Sequence, residues 1–130
     1  MNRYNKGTVV FDFDGVIHSY SSGWQGISIA NDPPVDGIAE ALKQIHQAGY
    51  KIVVVSSRCN TSEGRSCVND YLLRYNMLQY VELICAEKPP AIVYVDDRAI
   101  CFDGNPGLLL GKIKSFKPWY QKHSKSKKLF

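Results

Sequence analysis

Four short runs of β-branched and aromatic residues punctuate the chain: Thr8-Val9-Val10-Phe11-Asp12-Phe13-Asp14, Lys51-Ile52-Val53-Val54-Val55-Ser56, Val81-Glu82-Leu83-Ile84-Cys85 and Ala91-Ile92-Val93-Tyr94-Val95. Their length, composition and polar boundaries predict buried strands. Between the first two, Ile38, Leu42 and Ile45 recur at i, i+4 and i+7, with Asp36 near the start and Gly49 just past the end. This predicts a helix of about three turns. After the second strand, Asn60 with Glu63 resembles a capping box, and Val68, Tyr71, Leu72 and Tyr75 form the apolar stripe of a second helix. Residues 17–34 are rich in Ser and Gly, carry Tyr20 and Trp24, and end in Asp32-Pro33-Pro34, which predicts a loop or small hairpin. Ile100-Cys101-Phe102 is a short candidate fifth strand. A last helix starting near Pro106 would place Leu109, Ile113 and Phe116 on one face, with fraying from Pro118 onward.

Strands alternating with helices predict an α/β fold: a three-layer, Rossmann-like parallel sheet with helices on both faces. In such sheets ligands bind outside the carboxyl ends of the strands. The first strand ends at Asp12 and Asp14, the second at Ser56 and Arg58, and the fourth at Asp96 and Asp97. The polar residues therefore converge on one edge.

With 130 residues and 45% apolar content, the chain matches one domain that can fold without a disulfide or metal staple. No apolar run approaches the roughly 20 residues of a membrane span. The polar start and the acids at 12 and 14 do not read as a signal peptide, so a cytoplasmic protein with no membrane partner is expected. Cys59, Cys67, Cys85 and Cys101 form no C-x-x-C pair and read as reduced thiols. Charge is unevenly placed. Residues 112–130 carry seven lysines and no acid, whereas residues 1–111 carry nine basic residues against twelve acids, a balance of −3. The expected organisation is one domain over residues 1–117 and a basic, flexible tail over 118–130, able to attract nucleic acid or another polyanion.

The candidate chemistry follows from the edge. Asp12 and Asp14 share a strand face by period-two spacing, and Gly15 lets the chain turn at once. With Asp96 and Asp97 they make a dense negative site that calls for a cation, and hard oxygen donors suit Mg²⁺. Ser56 offers a hydroxyl and Lys88 a mobile charge to a phosphoryl group, and Arg58 a fork for a second anionic oxygen.

Together these residues resemble the haloacid dehalogenase (HAD) superfamily of phosphatases. Asp12-Phe13-Asp14-Gly15-Val16 is similar to the family's D-x-D-x-[T/V] signature, the run ending in Ser56 to its second motif, Lys88 to its third and Asp96-Asp97 to its fourth, in the same order. The resemblance implies Asp12 as the nucleophile that forms an aspartyl-phosphate and Asp14 as general acid, then base. It implies Ser56 and Lys88 as phosphoryl holders, and Mg²⁺ bound by Asp12, the Asp14 backbone carbonyl and Asp96, supported by Asp97. Ser56-Ser57-Arg58 is also similar to the Ser-Gly-Arg of polynucleotide 3′-phosphatase domains, which makes Ser57 and Arg58 candidate substrate contacts.

Only 41 residues lie between Asp14 and Ser56, and 31 between Ser56 and Lys88. Neither interval holds a folded cap domain, so the resemblance implies an open site, screened by residues 17–34 and suited to a nucleotide, a nucleic-acid end or another bulky phosphorylated substrate. A signalling receiver domain also uses acids, a hydroxyl and a lysine on a parallel sheet, but its phosphoacceptor ends the third strand, so the order here is wrong. A non-catalytic phosphate- or nucleic-acid-binding module on the same fold is the alternative.

Overall fold

The computed structural model describes residues 6–122, with Lys122 described by its backbone alone. Four strands, β1 (Thr8–Asp12), β2 (Lys51–Val55), β3 (Leu83–Cys85) and β4 (Val93–Val95), form one all-parallel sheet in the order β3-β2-β1-β4. Helices α1 (Ile38–Gln47) and α2 (Ser62–Arg74) are the crossovers from β1 to β2 and from β2 to β3. The chain is thus α/β, consistent with a Rossmann-like fold. Each strand is shorter than the run that predicts it; β3 and β4 begin two residues late, at Leu83 and Val93.

Period-two alternation in the central strands sorts the core into two faces. Val9, Phe11, Ile52 and Val54 pack with Leu42 of α1 and with Val68, Tyr71 and Leu72 of α2, so both long helices cover the same face. Val10, Val53 and Val55 form a smaller cluster on the other, with Cys85 and Ala91 against them. Edge strand β4 is exposed at all three residues.

Helix α1 follows the sequence reading. Helix α2 starts one residue later than the expected Asn60 cap: the Thr61 hydroxyl accepts from the Gly64 N–H at 3.0 Å, and Asn60 instead closes a 3₁₀ turn over Ser57–Asn60. Gly64 is required there, since a Cβ would overlap the Arg58 carbonyl.

Near the end, two expectations are corrected and one holds. Ile100–Phe102 is not a strand. The expected last helix is present: a 3₁₀ turn begun by Pro106 leads into α3 (Leu109–Ser115), with Ile113 60% exposed. Fraying does not begin at Pro118: that residue is buried and Trp119–Lys122 form a 3₁₀ turn packed on the body. The remaining basic residues of the tail, from 123 on, lie outside the described residues.

Candidate active site

The strand order reverses direction at β1. The chain moves outward through β2 and β3, then returns to place β4 on the other side of β1. The crevice outside the carboxyl ends of β1 and β4 is the switch point where α/β sheets bind ligands. Phe11 pairs with Val95, so the next residues, Asp12 and Asp96, emerge side by side.

Carboxylate oxygens of Asp12, Asp96 and Asp97 lie within 4.8 Å of one another. Asp12 Oδ1 accepts from the Phe13 N–H at 3.0 Å. Asp96 Oδ1 accepts from the Arg98 N–H at 2.8 Å, and its Oδ2 from Lys88 Nζ at 2.7 Å. Burial pushes the Asp96 carboxyl up, but the Lys88 and Arg98 hydrogen bonds hold it net below the ordinary carboxylate value. The same bond, against desolvation, raises the Lys88 ammonium above its ordinary value. Three hard oxygen donors with one cationic side chain already drawn onto them fit a divalent cation, with Asp12, Asp96 and Asp97 as the side chains that could hold it.

Asp14 stands apart from that cluster. Its carboxylate turns to Arg58, with Nε to Oδ2 at 2.9 Å and Nη2 to Oδ1 at 3.1 Å, and to His18 Nδ1 at 2.8 Å. His18 Nε2 accepts from the Asp32 N–H at 3.2 Å, which puts the ring proton on Nδ1, facing Asp14. Burial raises the Asp14 carboxyl, but hydrogen bonds from His18 and Arg58 and the guanidinium charge bring it below the ordinary value.

Arg58 is 1% exposed. Its Nη1 donates to the Gly26 and Ile27 carbonyls, both at 2.9 Å, and its guanidinium lies 4.7 Å from the centre of the Trp24 ring. The residue expected to grip substrate is instead spent on Asp14 and on the 17–34 loop, which it pins beside the site. Ser56 is buried; its hydroxyl accepts from the Arg58 N–H at 3.2 Å and caps the 3₁₀ turn. Ser57 is exposed. The structure thus brings Asp12, Lys88, Asp96 and Asp97 together, and joins Asp14 to Arg58 in a second, adjoining network.

Sequence reasoning missed Trp119 and Tyr120. Trp119 Nε1–H donates to the Gly15 carbonyl, and the Tyr120 hydroxyl to Asp97 Oδ2, each at 2.7 Å. Gly15 makes the approach possible, with φ +86° and no Cβ; one built there would stand 2.8 Å from Tyr120 Cε1. The signal available was two adjacent aromatics in an otherwise lysine-rich end.

Comparison of the chain with family models, with curated proteins and with solved structures gives no match. Among the described residues, no helix is long and apolar enough to cross a membrane.

Proposed function

We propose that this chain is a Mg²⁺-dependent phosphomonoester hydrolase of the HAD type. The reading is carried by one observation: carboxylates of Asp12, Asp96 and Asp97, with Lys88, converge at the β1/β4 switch point. Asp12 attacks phosphorus through a carboxylate oxygen as the ester P–O bond breaks, giving an aspartyl-phosphate. Asp14, once released from Arg58 and protonated from solvent, gives that proton to the leaving oxygen. It then takes a proton from the water that attacks the phospho-enzyme, freeing phosphate and restoring Asp12. Ser56 and Lys88 hold phosphoryl oxygens. Mg²⁺ bound by Asp12, the Asp14 carbonyl and Asp96, with Asp97 in support, would offset repulsion between the anions.

The wider reading includes a cytoplasmic location, an open site for a nucleotide, nucleic-acid end or other bulky phosphorylated substrate, and attraction of nucleic acid to the basic tail. Hydrolysis of an aryl phosphate tests it: activity is expected to vanish in EDTA, return with Mg²⁺, and vanish in Asp12→Asn with no phosphate found on that residue by mass spectrometry. Full activity in EDTA, or a phosphate mapped elsewhere, would overturn it.

A second reading, a non-catalytic phosphate- or nucleic-acid-binding module, is favoured by the engagement of both Asp14 oxygens with Arg58 and His18. Phosphate binding without turnover in the same assay would select it.

A further inference from the structure

The turn Trp119–Lys122 lies across the first strand's carboxyl end rather than trailing into solvent. It is docked by polar contacts of a particular kind. A tail packing opportunistically would cover apolar surface. Here the indole N–H is given to the carbonyl of the Asp14–Gly15 turn, and the phenol O–H to a carboxylate of the acid cluster. The Tyr120 ring also meets Tyr20 edge-to-face, with centroids 5.8 Å apart, which fixes the angle at which the hydroxyl is presented. A carboxylate is planar, so holding one oxygen fixes the direction of the other. The Gly15 slot, which any side chain would fill, is occupied by the Asp97 carboxylate and, beside it, by Tyr120.

We propose that this segment is a positioning strap for the acid cluster: Tyr120 orients Asp97, and Trp119 holds the Asp14–Gly15 turn, so that Asp12, Asp96 and Asp97 meet as a divalent-cation site. The inference rests on the phosphatase reading and adds to it a part that lies outside all four motifs. Groups that hydrogen-bond metal ligands commonly change metal affinity about 10–100-fold when removed.

The test is calorimetric titration of Mg²⁺ into the full chain, Tyr120→Phe, Trp119→Phe and chains ending after Lys117 or after Lys122, alongside aryl-phosphate turnover across Mg²⁺ concentrations. Tyr120→Phe, which keeps the ring, is expected to weaken Mg²⁺ binding about tenfold. Half-saturating Mg²⁺ for turnover should rise in parallel, while kcat at saturating Mg²⁺ stays within about threefold, a split that a loss of folded protein would not produce. Ending the chain after Lys117 should weaken binding at least as much; ending it after Lys122 should change nothing. If the shorter chain fails to fold by circular dichroism, Tyr120→Phe alone decides. Wild-type affinity in Tyr120→Phe, or tighter binding, would overturn the strap while leaving the phosphatase reading intact. A wild-type chain that neither binds Mg²⁺ nor turns over would overturn both.

Discussion

Arg58 grips both oxygens of Asp14, 44 positions away, through Nε at 2.9 Å and Nη2 at 3.1 Å, with its own side chain wholly buried. The pair joins the end of β1 to the turn after β2, and through Gly26 and Ile27 it takes in the loop between β1 and α1. Removing one partner leaves the other charge buried and uncompensated, which typically costs about 3–5 kcal/mol.

Arg58→Ala is therefore expected to destabilise the fold by about that amount in urea unfolding. Arg58→Lys should recover only part of it, because an ammonium cannot reproduce the two parallel bonds to Asp14 and the two to loop carbonyls. Equal stability of Arg58→Lys and wild type would contradict the assigned geometry.

Acid should act on the same pair. The folded-state carboxyl of Asp14 is lowered by His18 and Arg58 against burial, so its contribution is fully present above the ordinary aspartate value of about 3.9. It is lost as pH falls from there through the lowered folded value. The stability gap between wild type and Asp14→Asn should accordingly hold constant from pH 7 to about 5 and close only below about 4. A gap that closes near pH 6 would assign the titration to another group.

Leaving-group dependence separates the roles of the two acids. Asp14→Asn should lose about 10²–10⁴-fold on an alkyl or sugar phosphate and markedly less on nitrophenyl phosphate, whose leaving group departs unprotonated. Asp12→Asn should be inactive on both. Phospho-enzyme trapped on Asp12 in Asp14→Asn would complete the assignment; equal losses on the two substrates would remove Asp14 from the acid role.

The basic end beyond the strap can be tested without disturbing the site. Ending the chain after Lys122 removes Lys125, Lys127 and Lys128. If these neutralise phosphates, the slope of log affinity for single-stranded DNA against log salt should flatten by about 2, from roughly 0.7 per contact. An unchanged slope would exclude the tail from polyanion binding.

Much of the site is legible along the chain because its acids follow strand-forming runs. Asp12 and Asp96 fall on one edge by pattern alone, since strands whose apolar residues are buried must end where polar ones begin; that β4 lies beside β1 comes from the fold. The partner of Arg58 was not legible. Its position after Val55-Ser56-Ser57 suggests a ligand contact, and only the tertiary path of the 17–34 loop turns it inward. Thr61, rather than Asn60, caps α2 because Ser57–Asn60 is already committed to the 3₁₀ turn that Ser56 starts. Trp119 escaped for a related reason: its bond to Gly15 spans 104 positions, and lysine-rich surroundings read as a solvated end. Local pattern reports which residues are buried together on one element. It is silent on which distant polar atom a lone aromatic donor will find.

The strap also orders events during synthesis. β1 and its acids leave the ribosome first, and α1, β2, α2 and β3 can assemble on them as each appears. Asp96 and Asp97 arrive with β4, and the donors to Gly15 and Asp97 arrive more than twenty residues later still. A nascent chain halted near residue 115 would own its central strands, its two long helices and all its acids, yet lack the indole and phenol that meet them. Maturation of this edge thus waits on the segment that follows α3, synthesised after every strand and acid that it meets.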